Sequence, residues 1–290
     1  MTYTYNDPAS VPDDLKDWPG HTGNWGRWPN DRGTLNLLTP ESTLRGIRAV
    51  RTGEVFTCAR PVVGLSTLEK YPQPEGFDLG GMGDHIKSFD PHHGPTHIDG
   101  LGHIFFKGYG FNGYSIDEVF DETGTRKLSM MNEVGIVTRG VFVDVARRRG
   151  VDALADDDCV YVEDIADAAE RLQPGDAFVV RLGPRRNLES VDPSAGFHYE
   201  CVELIASKDA AVLASDSPSD RFPSATPEIA WAPIHTLAET FYGIPLIHDM
   251  DLQAVGETCA ARGRDDFLFI ASPPNIHGTT GQLVQPLIVL

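Results

Sequence analysis

Between His92 and His103 the chain places four of its ten histidines, and the residues among them exclude a helix. Gly94, Pro95, Gly100 and Gly102 interrupt the segment, and each opposes helical backbone. In extended backbone, residues separated by an even number share a face, so His93, His97, Asp99 and His103 line one side. A helix would turn Asp99 roughly 200° away from His97. The spacing therefore predicts a loop entering a strand, with Pro95 marking an edge or a bend. Two imidazoles and one carboxylate that converge in this way leave coordination positions open, and the set suits Zn(II), Mn(II) or Fe(II). The open positions can take water and lower its pKa, or take a carbonyl and polarise it. His103 stands beside them as a proton carrier, or alternatively as a structural neighbour. His92 replaces His93 as the ligand if the strand bulges.

The rest of the chain alternates two hydrophobic periods. Short runs rich in Val, Ile, Leu and Phe at 135–145, 176–182, 210–215, 245–250 and 266–272 read as strands. Helical spacing falls at 40–51, 162–172, 200–207 and 233–242, with Thr39 as N-cap before Pro40. Strands alternating with helices in the second half predict an α/β fold built on a mixed sheet. No GxGxxG follows a strand and there is no P-loop, so a nucleotide fold is not indicated. No composition break demands a boundary, which makes 1–290 a single domain with an N-terminal arm over about 1–40.

Charge narrows the partners. With 24 Lys+Arg against 42 Asp+Glu the net charge is −18, which disfavours nucleic acid and anionic membrane surfaces. No apolar run approaches the roughly 20 residues of a membrane helix, and the acidic start is unlike a secretory signal. Cys58, Cys159, Cys201 and Cys259 are scattered without a CxxC pair and read as reduced residues of a cytoplasmic protein.

The stretch around His93, Thr96, His97, Asp99 and His103 resembles the signature of the metal-dependent cyclase-like hydrolases, the family of bacterial kynurenine formamidase and isatin hydrolase. Gly94-Pro95 departs from the usual x-Gly. Segments at 28–40, 140–147, 175–183, 214–219 and the C-terminal HGTTGQLVQPLIVL are similar to other parts of that family, in its order. The resemblance implies a compact mixed-sheet cyclase-like (swivelling β/β/α) fold, assembled as a homodimer or homotetramer. It implies His93, His97 and Asp99 as metal ligands and His103 as the proton-handling residue. His235 looks like the downstream histidine of two-metal members, whereas His248 stands where they carry a glutamate, followed by Asp249. Glutamate can bridge or bind a cation bidentately and histidine cannot. We therefore expect one Zn or Mn per subunit rather than two, with His235 and His248 as base or substrate binders. The alternative gives a second metal to His235 with His248 or Asp249.

Aromatic residues suggest where a substrate would lie. Trp25 and Trp28 occupy a polar stretch of the N-terminal arm, where they cover a core edge or reach an active site, the chain's own or a neighbour's. Phe105 opens an aromatic run after His103 that either walls a flat substrate or packs in the core. The expected activity is that of a metal-dependent amidohydrolase adding water to a non-peptide C–N bond of a small molecule, a cyclic amide or an aryl formamide. A lactone hydrolase, or a cyclase or dehydratase in a biosynthetic or catabolic pathway, would use the same site. A binding module with a structural metal fits less well, because such sites close all positions with Cys or His.

Overall fold

Apolar runs with no polar face need cover on both sides, and here they become the centre of a sheet. The computed structural model describes residues 15, 18, 23–62, 66–70, 82–86, 90–92, 95–130, 135–184 and 193–290. Nine strands form the main sheet: β1 (Val55–Thr57), β2 (His97–Asp99), β3 (Ile136–Asp144), β4 (Ala177–Arg181), β5 (Val212–Ser215), β6 (Leu246–His248), β7 (Asp266–Ala271), β8 (Gly281–Leu283) and β9 (Leu287–Val289). Their order is β1-β9-β7-β3-β4-β5-β6-β2-β8. The four central strands β3, β4, β5 and β6 run parallel, and the remaining pairings in this sheet are antiparallel. β4 and β5 are buried along their whole length.

Parallel neighbours need crossover connections, and helices supply them. In sequence α2 (Val162–Ala169) lies between β3 and β4, and α3 (Glu200–Ser207) between β4 and β5. A helical turn at Pro233–His235, continued by the π-helix Thr236–Tyr242, lies between β5 and β6. Alternation along the strands divides the core in two. Val141, Val143, Phe178, Val180 and Leu246 meet Ile165, Ile205, Leu237 and Phe241 on one face. Phe142, Val179, Val212 and Ile247 meet Val255 and Cys259 of α4 (Gln253–Arg262) on the other.

The mixed α/β architecture agrees with the expectation from patterning, and strands occupy all five expected runs. The helix expected at 40–51 is α1 (Pro40–Ala49), where the Thr39 side chain accepts from the Ser42 amide and Pro40 starts the helix. The expected helix at 162–172 ends earlier, at Ala169. The segment 233–242 is helical, but most of it is π rather than α. The longest unexpected helix is α4, whose buried face is made of Val255, Gly256 and Cys259, too slight a stripe to stand out. All four cysteines are free and buried. Among the described residues no helix is long and apolar enough to cross a membrane.

Candidate metal centre

The register of two short strands decides which side chains meet. β2 pairs antiparallel with β6, placing His97 opposite His248 and Asp99 opposite Leu246. Residues two apart on a strand share a face, so His97, Asp99 and His248 all project from the same side. β8 flanks β2 with Gly281 opposite Asp99. A side chain at Gly281 would collide with the His92 ring and press on Asp99 Oδ1, so the cluster needs glycine there. The helical turn before the π-helix brings His235 over the same face. Short π segments are rare and recur at functional sites.

Asp99, 1% exposed, is the hub. Its Oδ1 lies 2.5 Å from His92 Nδ1 and 3.6 Å from His97 Nε2. Its Oδ2 lies 3.0 Å from His248 Nε2, 3.5 Å from His235 Nε2 and 4.0 Å from His103 Nε2. His97 donates its Nδ1–H to the Pro95 carbonyl at 2.8 Å, which leaves the Nε2 lone pair facing Asp99. His235 Nδ1 is 2.5 Å from Asp220 Oδ2, and His248 Nδ1 is 3.1 Å from Ser219 Oγ. Three rings thus spend Nδ1 on the protein and turn Nε2 inward, as metal-ligating imidazoles do. The His92 and His103 rings stack at 3.7 Å, 7° from parallel.

Two overlapping donor sets result, His92/His97/Asp99 and Asp99/His235/His248, each with its ligand atoms within 4.8 Å of one another. The residues fit a divalent cation. His248 Nε2 is fully buried and, although close to Asp99, lies outside hydrogen-bonding geometry, an orphaned nitrogen of the kind a cation would satisfy.

Electrostatics sort the groups. Burial is the largest influence on the Asp99 carboxyl and pushes its pKa up, but the adjacent imidazoles of His97, His235, His248 and His92 outweigh it and hold it well below the usual range. Burial draws His97 down, and Asp99 with the Pro95 carbonyl turns the net displacement upward. Burial also opposes charge on His235, and Asp220 with Asp99 overcomes it, carrying the ring well above its ordinary value. For His103 and His248 burial wins, pushing them down to about 4 and about 3. Both rings are therefore neutral at pH 7, free to accept a proton or donate a lone pair.

The cleft above this cluster has a volume of about 210 Å³. Its floor is polar, and Ile104, Pro218, Phe222, Ala232 and Trp231 make an apolar wall. Trp231 is 73% exposed at the rim, its ring 4.8 Å from that of Phe222.

Of the residues expected from sequence, His97, Asp99, His103, His235 and His248 come together here, and Asp249 lines the same cleft. His93 lies outside the described residues, and its neighbour His92 stands against Asp99. The aromatic candidates are placed differently. Trp25 is buried, donates its Nε1–H to the Thr240 carbonyl at 2.6 Å and stacks on Phe241. Trp28 packs at the core edge under the Arg27 guanidinium, and Phe105 packs against Phe120. Among the described residues these three do not line the cleft, because the arm and the loop after His103 use their rings to cover the π-helix and the core edge. Sequence reasoning missed Ser219 and Asp220, which hold two imidazoles, and Glu239. Glu239 is fully buried, and both its carboxylate oxygens lack hydrogen-bond partners. Burial pushes its pKa well above the usual range. Its one sequence signal is its place four residues after His235 on a helix.

A crystal structure described as a novel cyclase superposes with a TM-score of 0.78 over 92% of this chain and 99% of its own, at 22% identity. Isatin hydrolase A from Labrenzia aggregata, bound to benzyl benzoate, gives 0.54 over 84% and 95%, at 18% identity. An isatin hydrolase bound to the product analogue thioisatinate gives 0.51 over 87% and 99%, at 15% identity. At these identities the likeness is one of fold. None of the curated proteins matches the chain significantly. Residues 27–220, well over half the chain and including the His92–His103 stretch, match the sequence profile described as "Putative cyclase", and the chain belongs to that family.

Proposed function

We propose that this chain is a divalent-metal-dependent hydrolase that adds water to a non-peptide C–N bond of a small molecule, a cyclic amide or an aryl formamide. The observation that carries the proposal is a single buried carboxylate, Asp99, with five imidazole nitrogens within 4.0 Å at the floor of an open cleft. An N/N/O set accepts Zn(II) or Mn(II). One cation per subunit is the preferred count, because a single carboxylate offers little charge to hold two dications side by side. When bound, the cation supplies Lewis acidity toward a carbonyl or water.

The chain's own groups do the rest. His97 and Asp99 hold the ion, with an imidazole of the His92-His93 pair as third donor. His103, neutral and beside Asp99, takes a proton from the attacking water and delivers it to the departing nitrogen. His235, oriented by Asp220, assists, while His248 and Asp249 bound the cleft on the β6 side. The apolar wall receives the body of the substrate, away from the polar floor. We place the protein in the cytoplasm as a homodimer or homotetramer acting on a free small molecule, and four unpaired cysteines and a net charge of −18 favour that setting over an oxidising compartment or an anionic surface.

The test is incubation of the remetallated protein with cyclic imides, aryl formamides and lactones, read by mass. Gain of one water by an amide is the expected result. Loss of water, or action on lactones alone, would replace amide hydrolysis by the cyclase or lactonase chemistry. His97→Ala and Asp99→Ala should each lose both cation and activity. His103→Ala should keep the cation and lose about 10²–10⁴ in turnover. Normal turnover in His103→Ala would remove that role, and a wild-type protein that binds no divalent ion would remove the whole proposal.

A further inference from the structure

Two consecutive residues hold two imidazoles that come from different elements. Ser219 Oγ meets His248 Nδ1 at 3.1 Å, and Asp220 Oδ2 meets His235 Nδ1 at 2.5 Å. His248 arrives on β6 and His235 on the turn before the π-helix, 13 residues earlier. The opposite nitrogens of these rings converge on one atom, Asp99 Oδ2, at 3.0 and 3.5 Å.

The dipeptide is itself firmly held. Asp220 is fully buried, and its carboxylate also accepts from the amides of Ile234 at 2.8 Å and His235 at 3.2 Å. It therefore ties down the start of the helix that carries the ring it orients. The Ser219 carbonyl accepts from the Phe197 amide at 2.8 Å, and its own amide donates to Ser217 Oγ at 3.2 Å. Ser219 Oγ also lies 3.4 Å from Ser215 Oγ, so it can donate there while accepting from the His248 Nδ1–H. Ser219 adopts φ +62°, a left-handed conformation that a side chain disfavours. Glycine would meet the backbone requirement with less strain, so the serine here sits against its own conformational preference. Strain at a site residue points to a role of its side chain.

We propose that Ser219–Asp220 is a positioning clamp, which keeps Nδ1–H on both His248 and His235 and aims both Nε2 atoms at the Asp99 Oδ2 side of the cleft, so that a divalent cation bound at Asp99 draws on both rings. The clamp rests on the metal-dependent reading above, but it makes a separate claim. Neutral histidine in water favours the Nε2–H form. The clamp reverses that preference at His248 and presents two nitrogen atoms to the Asp99 Oδ2 side of the site. Neither residue touches the reacting atoms; they act through the rings.

Ser219→Gly separates this role from a structural one, since glycine relieves φ +62° while deleting the hydroxyl. Three readouts are taken on the full chain: zinc affinity by calorimetry, the unfolding midpoint without metal, and the His248 tautomer by long-range ¹H–¹⁵N correlation. The wild type should show His248 with Nδ1–H. In Ser219→Gly that signal should move to Nε2–H or to a mixture, zinc affinity should fall about 10–100-fold, and the unfolding midpoint should hold or rise. Asp220→Asn, which keeps the volume, should weaken zinc by a similar factor. A wild-type His248 carrying Nε2–H, or zinc affinity unchanged in both variants, overturns the clamp. So does an affinity loss that merely tracks a lowered midpoint with an unaltered tautomer. A wild type that binds no zinc or manganese fails the metal reading instead, and the His248 tautomer in the metal-free protein still decides the clamp.

Discussion

Asp99 and Trp231 mark the two ends of the cleft, and each works by a different force. At the floor, one carboxylate balances whichever surrounding imidazoles are charged, and burial makes that balance strong. At the rim, Trp231 offers an uncovered ring beside Phe222. A stacked aromatic contact is worth about 0.5–1.5 kcal/mol. Trp231→Ala should therefore raise KM for aryl substrates about 3–10-fold with little change in kcat, and leave non-aromatic amides unaffected. Steady-state kinetics on a matched pair of substrates would check it, and equal effects on both would refute a stacking role. At this scale the sequence was legible where parity sufficed. Asp99 two residues after His97 had to share its face once the segment was a strand. The partners on Nδ1 were not legible, because Ser219 and Asp220 lie more than 100 residues from β2 and acquire their role only when the loop folds over it.

The elements that carry the site are short, and the sheet around them is not. β2 and β6 have three residues each, too few to hold a register alone, and they borrow it from β5 and β8 on either side. On the far face, α1 lies directly on β3, and a Cβ at Gly46 would come within 2.5 Å of the Thr138 carbonyl. Alanine gains about 1 kcal/mol over glycine in helix propensity. Forcing a methyl group against a strand backbone costs about 1–3 kcal/mol, so packing should win. Gly46→Ala is expected to lower the urea midpoint, and a more stable variant would mean that α1 rides higher than described. Patterning located α1 through its cap, but the Leu44 and Ile47 that carried the apolar spacing are exposed and the buried face is Ser42, Gly46 and Ala49; it missed α4, whose contact with the sheet also uses small residues. The π character of Thr236–Tyr242 was also beyond it, since seven residues are too few for the wider i→i+5 period to register in the apolar spacing.

Across the whole molecule, all four thiols are buried. Burial pushes Cys58 and Cys259 up to about 12 and Cys159 up to about 11, and it raises Cys201 as well. A folded-state pKa above the unfolded one contributes stability that is full below the unfolded value and is lost as pH climbs through the folded values. Stability should therefore decline between about pH 9 and pH 12 as the unfolded chain gains thiolates that the native fold refuses. Denaturant midpoints measured across that range, with a Cys58→Ala, Cys259→Ala variant that flattens the slope, would check it. Below that range a thiol reagent should label the native protein slowly and the unfolded protein at four sites. Rapid native labelling would contradict the burial.

By itself the sequence determined local matters: which runs are strands, that His97 to Asp99 is extended (whereas His103 sits in the turn that follows), that His97 and Asp99 face one way, and that a histidine stands at 248. Those follow from two-residue and 3.6-residue periods, which neighbouring residues impose on one another. Only the tertiary structure decided that β6 lies beside β2, that His235 descends on the same carboxylate, and that Trp231 rather than Trp25 guards the opening. These contacts join residues more than 100 positions apart, and they depend on strand order, a property that no local period encodes.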